Sequence, residues 1–214
     1  MITVKTFVCN PLQENTFVVS DDTRECVVID CGAFFDEERK AVVDYIRKQQ
    51  LTPKHLLCTH GHFDHIFGCS TIYDAFLLKP EVHQADAFLT NDLNMQVRNM
   101  LGVNMELQMP PVGHYLSDGE TIGFGQHRLK VLHTPGHTPG GVVFYCEEER
   151  TAFSGDTLFR MSIGRTDFEG GSYKQMMESL HEVMAKLPED TKVYTGHGPA
   201  TIIGEEVRMN PYFK

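Results

Sequence analysis

Apolar residues in the first thirty positions come in short runs, over 4–8, 15–20 and 25–30, each rich in Val, Thr and Phe. Turn formers separate them, Asn10-Pro11 and Asp21-Asp22, so the pattern predicts a β meander. The period then changes. Val42, Val43 and Ile46 share one stripe of a helix predicted over 36–50. Asp36 is its expected N-cap, with Glu37 and Glu38 at the positive end of the dipole and Arg47 and Lys48 at the negative end. A short apolar run over 55–59 reads as a buried strand, and Pro80 predicts the opening of a helix that runs through Phe88.

The second half repeats the theme. Strands are predicted over 128–133, 141–145, 151–154 and 192–194. A helix over 172–187 places Met176, Leu180, Val183, Met184 and Leu187 on one side and is ended by Pro188. Strands in groups with helices between and after them predict a layered α/β or α+β architecture. No linker or compositional break interrupts the pattern, so a single domain over 1–214 is expected.

Composition narrows the function classes. With 41% hydrophobic and 22% charged residues the chain is an ordinary folding sequence. Its net charge of −10 makes a nucleic-acid partner unexpected. The first residues lack the basic start and apolar run of a signal peptide, and no later stretch is apolar enough to span a bilayer; a cytoplasmic protein without a membrane partner is expected. The six cysteines form no C-x-x-C pair and are expected to be buried, reduced thiols, with Cys31 and Cys69 the least inert.

Seven metal-capable side chains recur at one kind of place, the turn after a short apolar strand. His60, His62, Asp64 and His65 follow the strand predicted to end at Thr59; His137, Asp156 and His197 each follow a later one. Loops rooted at strand ends are fixed at the base and reachable at the tip, so four such turns can converge on one pocket. Five imidazoles and two carboxylates suit two divalent cations, zinc above all, with iron or manganese as alternatives. One division gives His60, His62 and His137 to the first ion and Asp64, His65 and His197 to the second, with Asp156 bridging. His55, His83, His114, His127, His133 and His181 lack such company and are expected in surface or packing roles.

His60-x-His62-x-Asp64-His65 resembles the H-x-H-x-D-H signature of the metallo-β-lactamase superfamily. Thr134-Pro135-Gly136-His137-Thr138, Ser154-Gly155-Asp156-Thr157 and Thr195-Gly196-His197-Gly198 follow in that family's order, and Val28-Ile29-Asp30-Cys31-Gly32 is similar to its early strand-end motif. The resemblance covers nearly the whole chain and implies a four-layer αββα sandwich with the metals at one edge of two facing sheets.

Within the superfamily, Gly155-Asp156-Thr157-Leu158-Phe159 and residues 163–168 resemble the glyoxalase II branch, which hydrolyses S-acyl glutathione thioesters. That branch's Lys-x-Tyr glutathione motif reads Arg165-Thr166-Asp167 here, and residues 198–214 are too few for its C-terminal helical domain. The chain is therefore similar to compact bacterial glyoxalase II-like proteins.

The resemblance implies hydrolysis of a small-molecule thioester by a hydroxide shared between two ions. Asp64 would hold the second ion and orient the attack. Arg165 would either anchor a substrate carboxylate or pair with an acid such as Asp167. The Met-rich stretch over 91–109 would pack, or form a lid. A persulfide dioxygenase also resembles residues 164–168 and would bind one Fe(II) through His60 or a neighbour, His137 and Asp156. A non-catalytic metal-binding module is the third reading.

Overall fold

Residues Glu14–Ser20 (β2) are buried along their entire length, which a strand achieves only when both of its faces are covered. The computed structural model, which describes Met1–Lys214, shows how. β2 pairs antiparallel with β1 (Thr3–Cys9) and β3 (Glu25–Ile29). The sheet continues in parallel through β4 (Thr52–Leu57), β5 (Pro80–His83) and β6 (His114–Leu116). A second sheet runs in the order β14 (Thr201–Ile202), β13 (Lys192–Thr195), β10 (Thr151–Gly155), β9 (Val142–Cys146), β8 (His127–His133), β7 (Thr121–Phe124), and β11 (Leu158–Phe159) pairs with β12 (Ser162–Ile163) in a separate two-stranded ribbon.

Alternation along the strands divides three apolar layers. Phe17, Val19, Val27, Ile29 and Leu57 point from the first sheet onto Ile122, Leu129, Val131, Phe144 and Phe153 of the second. Their neighbours Val18, Val28 and Leu56 face outward onto α1 (Asp36–Lys48), α2 (Phe63–Ile66), α3 (Cys69–Phe76) and α5 (Leu93–Leu101), through Val42, Ile46, Ile66, Ile72 and Val97. On the other side Val143, Ala152 and Val193 meet Met176 and Leu180 of α6 (Tyr173–Glu182) and Ile203 of α7 (Ile203–Met209). The result is the four-layer αββα sandwich. No helix is long and apolar enough to cross a membrane.

Several expectations need correction. Residues 80–83 form β5, paired in parallel with β4, and helical structure begins only with a 3₁₀ turn over Gln84–Asp86 that leads into α4 (Ala87–Asn91). Proline has no N–H to give a ladder and is tolerated as a strand's first residue as well as a helix's, so its signal was ambiguous. The N-cap of α1 is Phe35, one residue earlier than expected; Glu38 supplies the acceptor, its Oε2 taking the N–H groups of Phe34 at 2.8 Å and Phe35 at 3.1 Å. The helix predicted through 187 stops at Glu182 and tightens into a 3₁₀ turn over Met184–Lys186.

All six cysteines are buried and unpaired. Cys31 and Cys69 are fully enclosed: burial pushes the Cys31 thiol well up, and a hydrogen bond with Cys58 together with burial does so for Cys69. Neither is poised as a thiolate.

The two sheets are also joined by polar contacts. Asp21, in the turn after β2, accepts from Gln126 N, in the turn between β7 and β8, at 2.7 Å and pairs with Nδ1 of His127, the first residue of β8, at 3.0 Å. Gly125 makes room: a Cβ there would meet Asp21 Oδ2 at 2.2 Å. Burial disfavours the carboxylate, but the donors from Gln126, Thr23 and His127 outweigh it and hold the Asp21 carboxyl well below its usual range. A depressed folded pKa contributes stability above the unfolded value of about 3.9, and that contribution is lost as pH falls through the folded value. Asp21→Asn is therefore expected to cost about 1–3 kcal/mol at neutral pH, as read by urea unfolding, with the deficit shrinking below about pH 4.

Candidate metal centre

The C-terminal ends of β4, β8, β10 and β13 all reach the same edge of the sandwich. The seven predicted residues meet there. His60, His62, Asp64 and His65 lie in the turn after β4 and the first residues of α2, His137 four residues beyond β8, Asp156 directly after β10 and His197 two residues after β13. Gly155 turns the chain at φ +48° with Thr59 so close that a Cβ would lie 2.2 Å from its Oγ1.

The side chains form overlapping groups. His60, His62 and His137 make one, and Asp64, His65 and His197 another; within each, the potential ligand atoms lie within 4.8 Å of one another. His62 Nδ1 is 2.8 Å from His137 Nε2, and His65 Nε2 is 3.2 Å from His197 Nε2. Asp156 stands between the groups: its Oδ1 is 3.3 Å from His65 Nε2 and its Oδ2 is 3.4 Å from His137 Nε2. His60 and His65 also group with Asp156.

Two atoms test whether cations belong here. His60 Nε2 and Asp156 Oδ1 are buried without any hydrogen-bond partner, a costly arrangement unless an ion accepts their lone pairs. Space is kept open as well. A Cβ on Gly196 would lie 2.3 Å from Asp156 Oδ1 and 2.8 Å from His65 Cε1, inside the cluster. The residues present fit divalent ions.

The electrostatics favour the ligating forms of His60, His62, Asp64 and Asp156. Burial, reinforced by neighbouring imidazoles, holds His60 well below its usual range and lowers His62 to about 3. Both are thus neutral, with lone pairs free. Burial alone would raise Asp64 and Asp156, but His65 outweighs it with help from His197, and both stay ionised. His65 and His197 are raised in turn: burial opposes their charge, and the acids overcome it, Asp156 foremost for His65 and Asp64 for His197.

A family model of the metallo-beta-lactamase superfamily matches residues 9–197. The chain belongs to the metallo-β-lactamase superfamily. It is 33% identical over 201 residues to hydroxyacylglutathione hydrolase GloC of Haemophilus influenzae, covering 94% of this chain and 92% of that one. The solved structure of the BLEG-1 B3 metallo-β-lactamase is similar at a TM-score of 0.90 and 35% identity, covering 99% of this chain and all of that one. TTHA1623, solved in a di-iron-bound form, is similar at a TM-score of 0.86 and 36% identity, over 98% of this chain and all of that one. The protein is thus a metallo-hydrolase superfamily member, and its His/Asp cluster fits the divalent metals that this superfamily binds.

Around this metallo-β-lactamase cluster lies a set of contacts that sequence reasoning missed. Asp30 Oδ2 is 2.9 Å from His65 Nδ1, while Asp30 itself is held by Thr59 N at 2.7 Å and Thr59 Oγ1 at 2.8 Å. His137 Nδ1 donates to Arg165 O at 2.6 Å and His197 Nδ1 to Leu12 O at 3.0 Å. A carbonyl can only accept, so each of these rings carries its proton on Nδ1 and turns Nε2 inward.

Asp86 ties two ligand loops together, accepting from Gly61 N at 2.9 Å, Thr138 Oγ1 at 2.8 Å and Gly140 N at 2.6 Å. Asn15 Nδ2 holds the His197 turn through Thr195 O and Gly198 O, both at 2.9 Å. Asp30, Thr138 and Arg165 lay in segments the sequence singled out, whereas no local signal marked Asp86 or Asn15 as ties.

The remaining histidines stay apart. His133, nearest in sequence to His137, turns to Pro139 O and stacks on His83 with ring centroids 4.3 Å apart. His55 and His114 pair with Glu81 and Glu120, and His127 with Asp21 and Glu149. Arg165 makes a two-pronged pair with Asp167, at 2.6 and 2.7 Å, and lies over the Phe168 ring at 4.1 Å.

Because Asp30 orients His65, Asp30→Ala is expected to weaken zinc binding about 10–100-fold, measured by competition with a chromophoric chelator, with the far-ultraviolet circular dichroism unchanged.

Proposed function

We propose that this protein is a dinuclear metal-dependent thioesterase of the glyoxalase II type. His60, His62 and His137 would hold the first ion, Asp64, His65 and His197 the second, and Asp156 would be shared. The observation that carries the reading is Asp156, which stands between the two groups: its Oδ1 is 3.3 Å from His65 Nε2, and its Oδ2 is 3.4 Å from His137 Nε2 and 3.7 Å from His197 Nε2. A single-iron centre would leave the Asp64–His65–His197 group without a task, which favours hydrolysis over persulfide oxidation. The likeness to GloC supports thioester chemistry, and zinc is the ion this donor set suits best.

Divalent ions so held would supply Lewis acidity for a carbonyl, for water and for a departing thiolate. The chain's own residues do the positioning. They line a cleft of about 440 Å³ walled by Leu12, Phe63, Phe159, Ile163 and Phe168, which limits water around the thioester. Asp64, ionised and aimed into this cleft, accepts a hydrogen bond from the attacking water and fixes its direction. In the overall step the acyl C–S bond breaks and a C–O bond forms; water supplies the hydroxyl to the acyl carbon and the proton to the thiol. Arg165 lines the cleft mouth and is assigned to substrate contact, with two of its nitrogens already engaged by Asp167. The substrate is a small molecule; a net charge of −10 gives a phosphate backbone no purchase.

The test is a panel of thioesters, lactones and β-lactams assayed by thiol or acid release, alongside metal analysis of protein purified without added metal. Thioester turnover with two zinc ions per chain is expected. One iron with O₂ uptake, or full activity after exhaustive chelation, overturns the proposal. Asp64→Asn is expected to lower kcat about 10²–10⁴-fold. Arg165→Ala should raise KM with kcat kept, as loss of a binding contact does.

A further inference from the structure

The metal cleft does not end at the ligands. It opens into a groove of about 620 Å³, within the size range of small-molecule sites, and the two share Leu12, His62, Phe63, Met100, Arg165 and Phe168 as walls. The groove runs beneath α4 and α5. Of its lining, Phe63 and Leu89 are buried and Met100 is half-buried, beside the ligand His62 and a buried Gln96 whose amide is already engaged by Phe63 N, Gly61 O and Leu89 O. Phe88, Met95 and Leu101 continue it outward at 40%, 44% and 49% exposure, apolar surface left without a partner.

The rim has a different character. Asp92, Asp167 and Glu169 are exposed there against one guanidinium, that of Arg165, giving the lining a net charge of −2. Asp167 already occupies Arg165 through two hydrogen bonds, so the rim offers no free cation to an anion. Asp92 caps α5 by accepting from Met95 N at 2.8 Å, which fixes that carboxylate at the groove's edge.

We propose that this groove receives the acyl chain of the substrate, and that its acidic rim selects against thiol carriers of net negative charge. This deepens, and rests on, the thioesterase reading above. The substrate class is an apolar acyl thioester of an uncharged carrier. The acyl chain lies along α5 with its carbonyl at the cleft, and the carrier end projects past Asp167 and Glu169 into solvent. A carrier bearing carboxylates or phosphates meets like charge there, at separations where ionic strength matters.

The experiment uses the full-length, metal-loaded protein. Acetyl, butanoyl, hexanoyl and octanoyl thioesters of N-acetylcysteamine, a neutral thiol, are compared with the same acyl groups on glutathione and coenzyme A. Each methylene is expected to raise kcat/KM about fourfold until the groove is filled. The anionic carriers should fall at least about fivefold below the neutral one, a gap that narrows as salt is added. Glu169→Lys is expected to close the gap by about threefold or more, and Met95→Ser, at an exposed position that folding tolerates, to flatten the chain-length dependence.

Binding read without turnover separates this inference from the one beneath it. Non-hydrolysable S-alkyl thioethers of the neutral thiol should bind, by calorimetry, more tightly as the alkyl chain lengthens. Hydrolysis that is flat in chain length, or fastest with glutathione or coenzyme A at low salt, overturns the groove assignment and leaves the thioesterase reading standing. Chain-dependent thioether binding without hydrolysis of any thioester supports the groove assignment and overturns the thioesterase reading.

Discussion

The structure depends on one constraint: five imidazoles and two carboxylates, most of them buried and His197 half-buried, must be gathered together at the edge of two sheets. A buried polar group without a partner costs free energy, and a buried charge costs more. The protein satisfies most of these groups from outside the cluster. Asp30, Arg165 O and Leu12 O each take one ring nitrogen, which settles the tautomer and leaves the opposite nitrogen facing the middle. What remains unpaired, His60 Nε2 and Asp156 Oδ1, faces inward, where cations fit.

That arrangement explains why the surroundings are so fully hydrogen-bonded. Rotation of any one ligand turn would misdirect a lone pair, so the turns are tied to one another across long sequence separations. Asp86 reaches Gly61 and Gly140, 25 and 54 residues away, and thereby couples the His60–His65 turn to the His137 turn. Asn15 reaches across 180 residues to hold the turn before His197. The sandwich supplies a rigid base for these ties, because β2 and its neighbours are packed on both faces.

Substrate-facing surface is built on different terms. The Met-rich segment divides its labour: Met100, Met105 and Met109 pack against the helical-face core, while Met95 stands exposed on the groove wall. Unbranched, polarisable side chains suit a wall that must accommodate chains of differing length. The acidic rim, by contrast, is held in place, with Asp92 fixed by the cap of α5 and Asp167 by Arg165. Shape is adaptable there and charge is not.

Much of this was legible in the sequence because it is local. The long strands follow from runs of β-branched and aromatic residues between turn formers, and the seven candidate ligands from four metal-capable side chains in one six-residue window with three more after later strands. Short elements were not legible. Four residues opening on a proline, as in β5, or three, as in β6, hold too little period to tell a strand from a helix end, and pairing with β4 decided the matter.

The sequence by itself determined which side chains could bind a cation and which strands deliver them, since side-chain chemistry and hydrophobic period are properties of neighbours in the chain. Only the tertiary structure decided which ring nitrogen faces inward, that Asp30, Asp86 and Asn15 hold the ligand turns, that Arg165 is engaged by Asp167, and that an apolar groove with an acidic rim opens from the cleft. Those are relations between residues far apart along the chain, and packing alone brings them within hydrogen-bond reach.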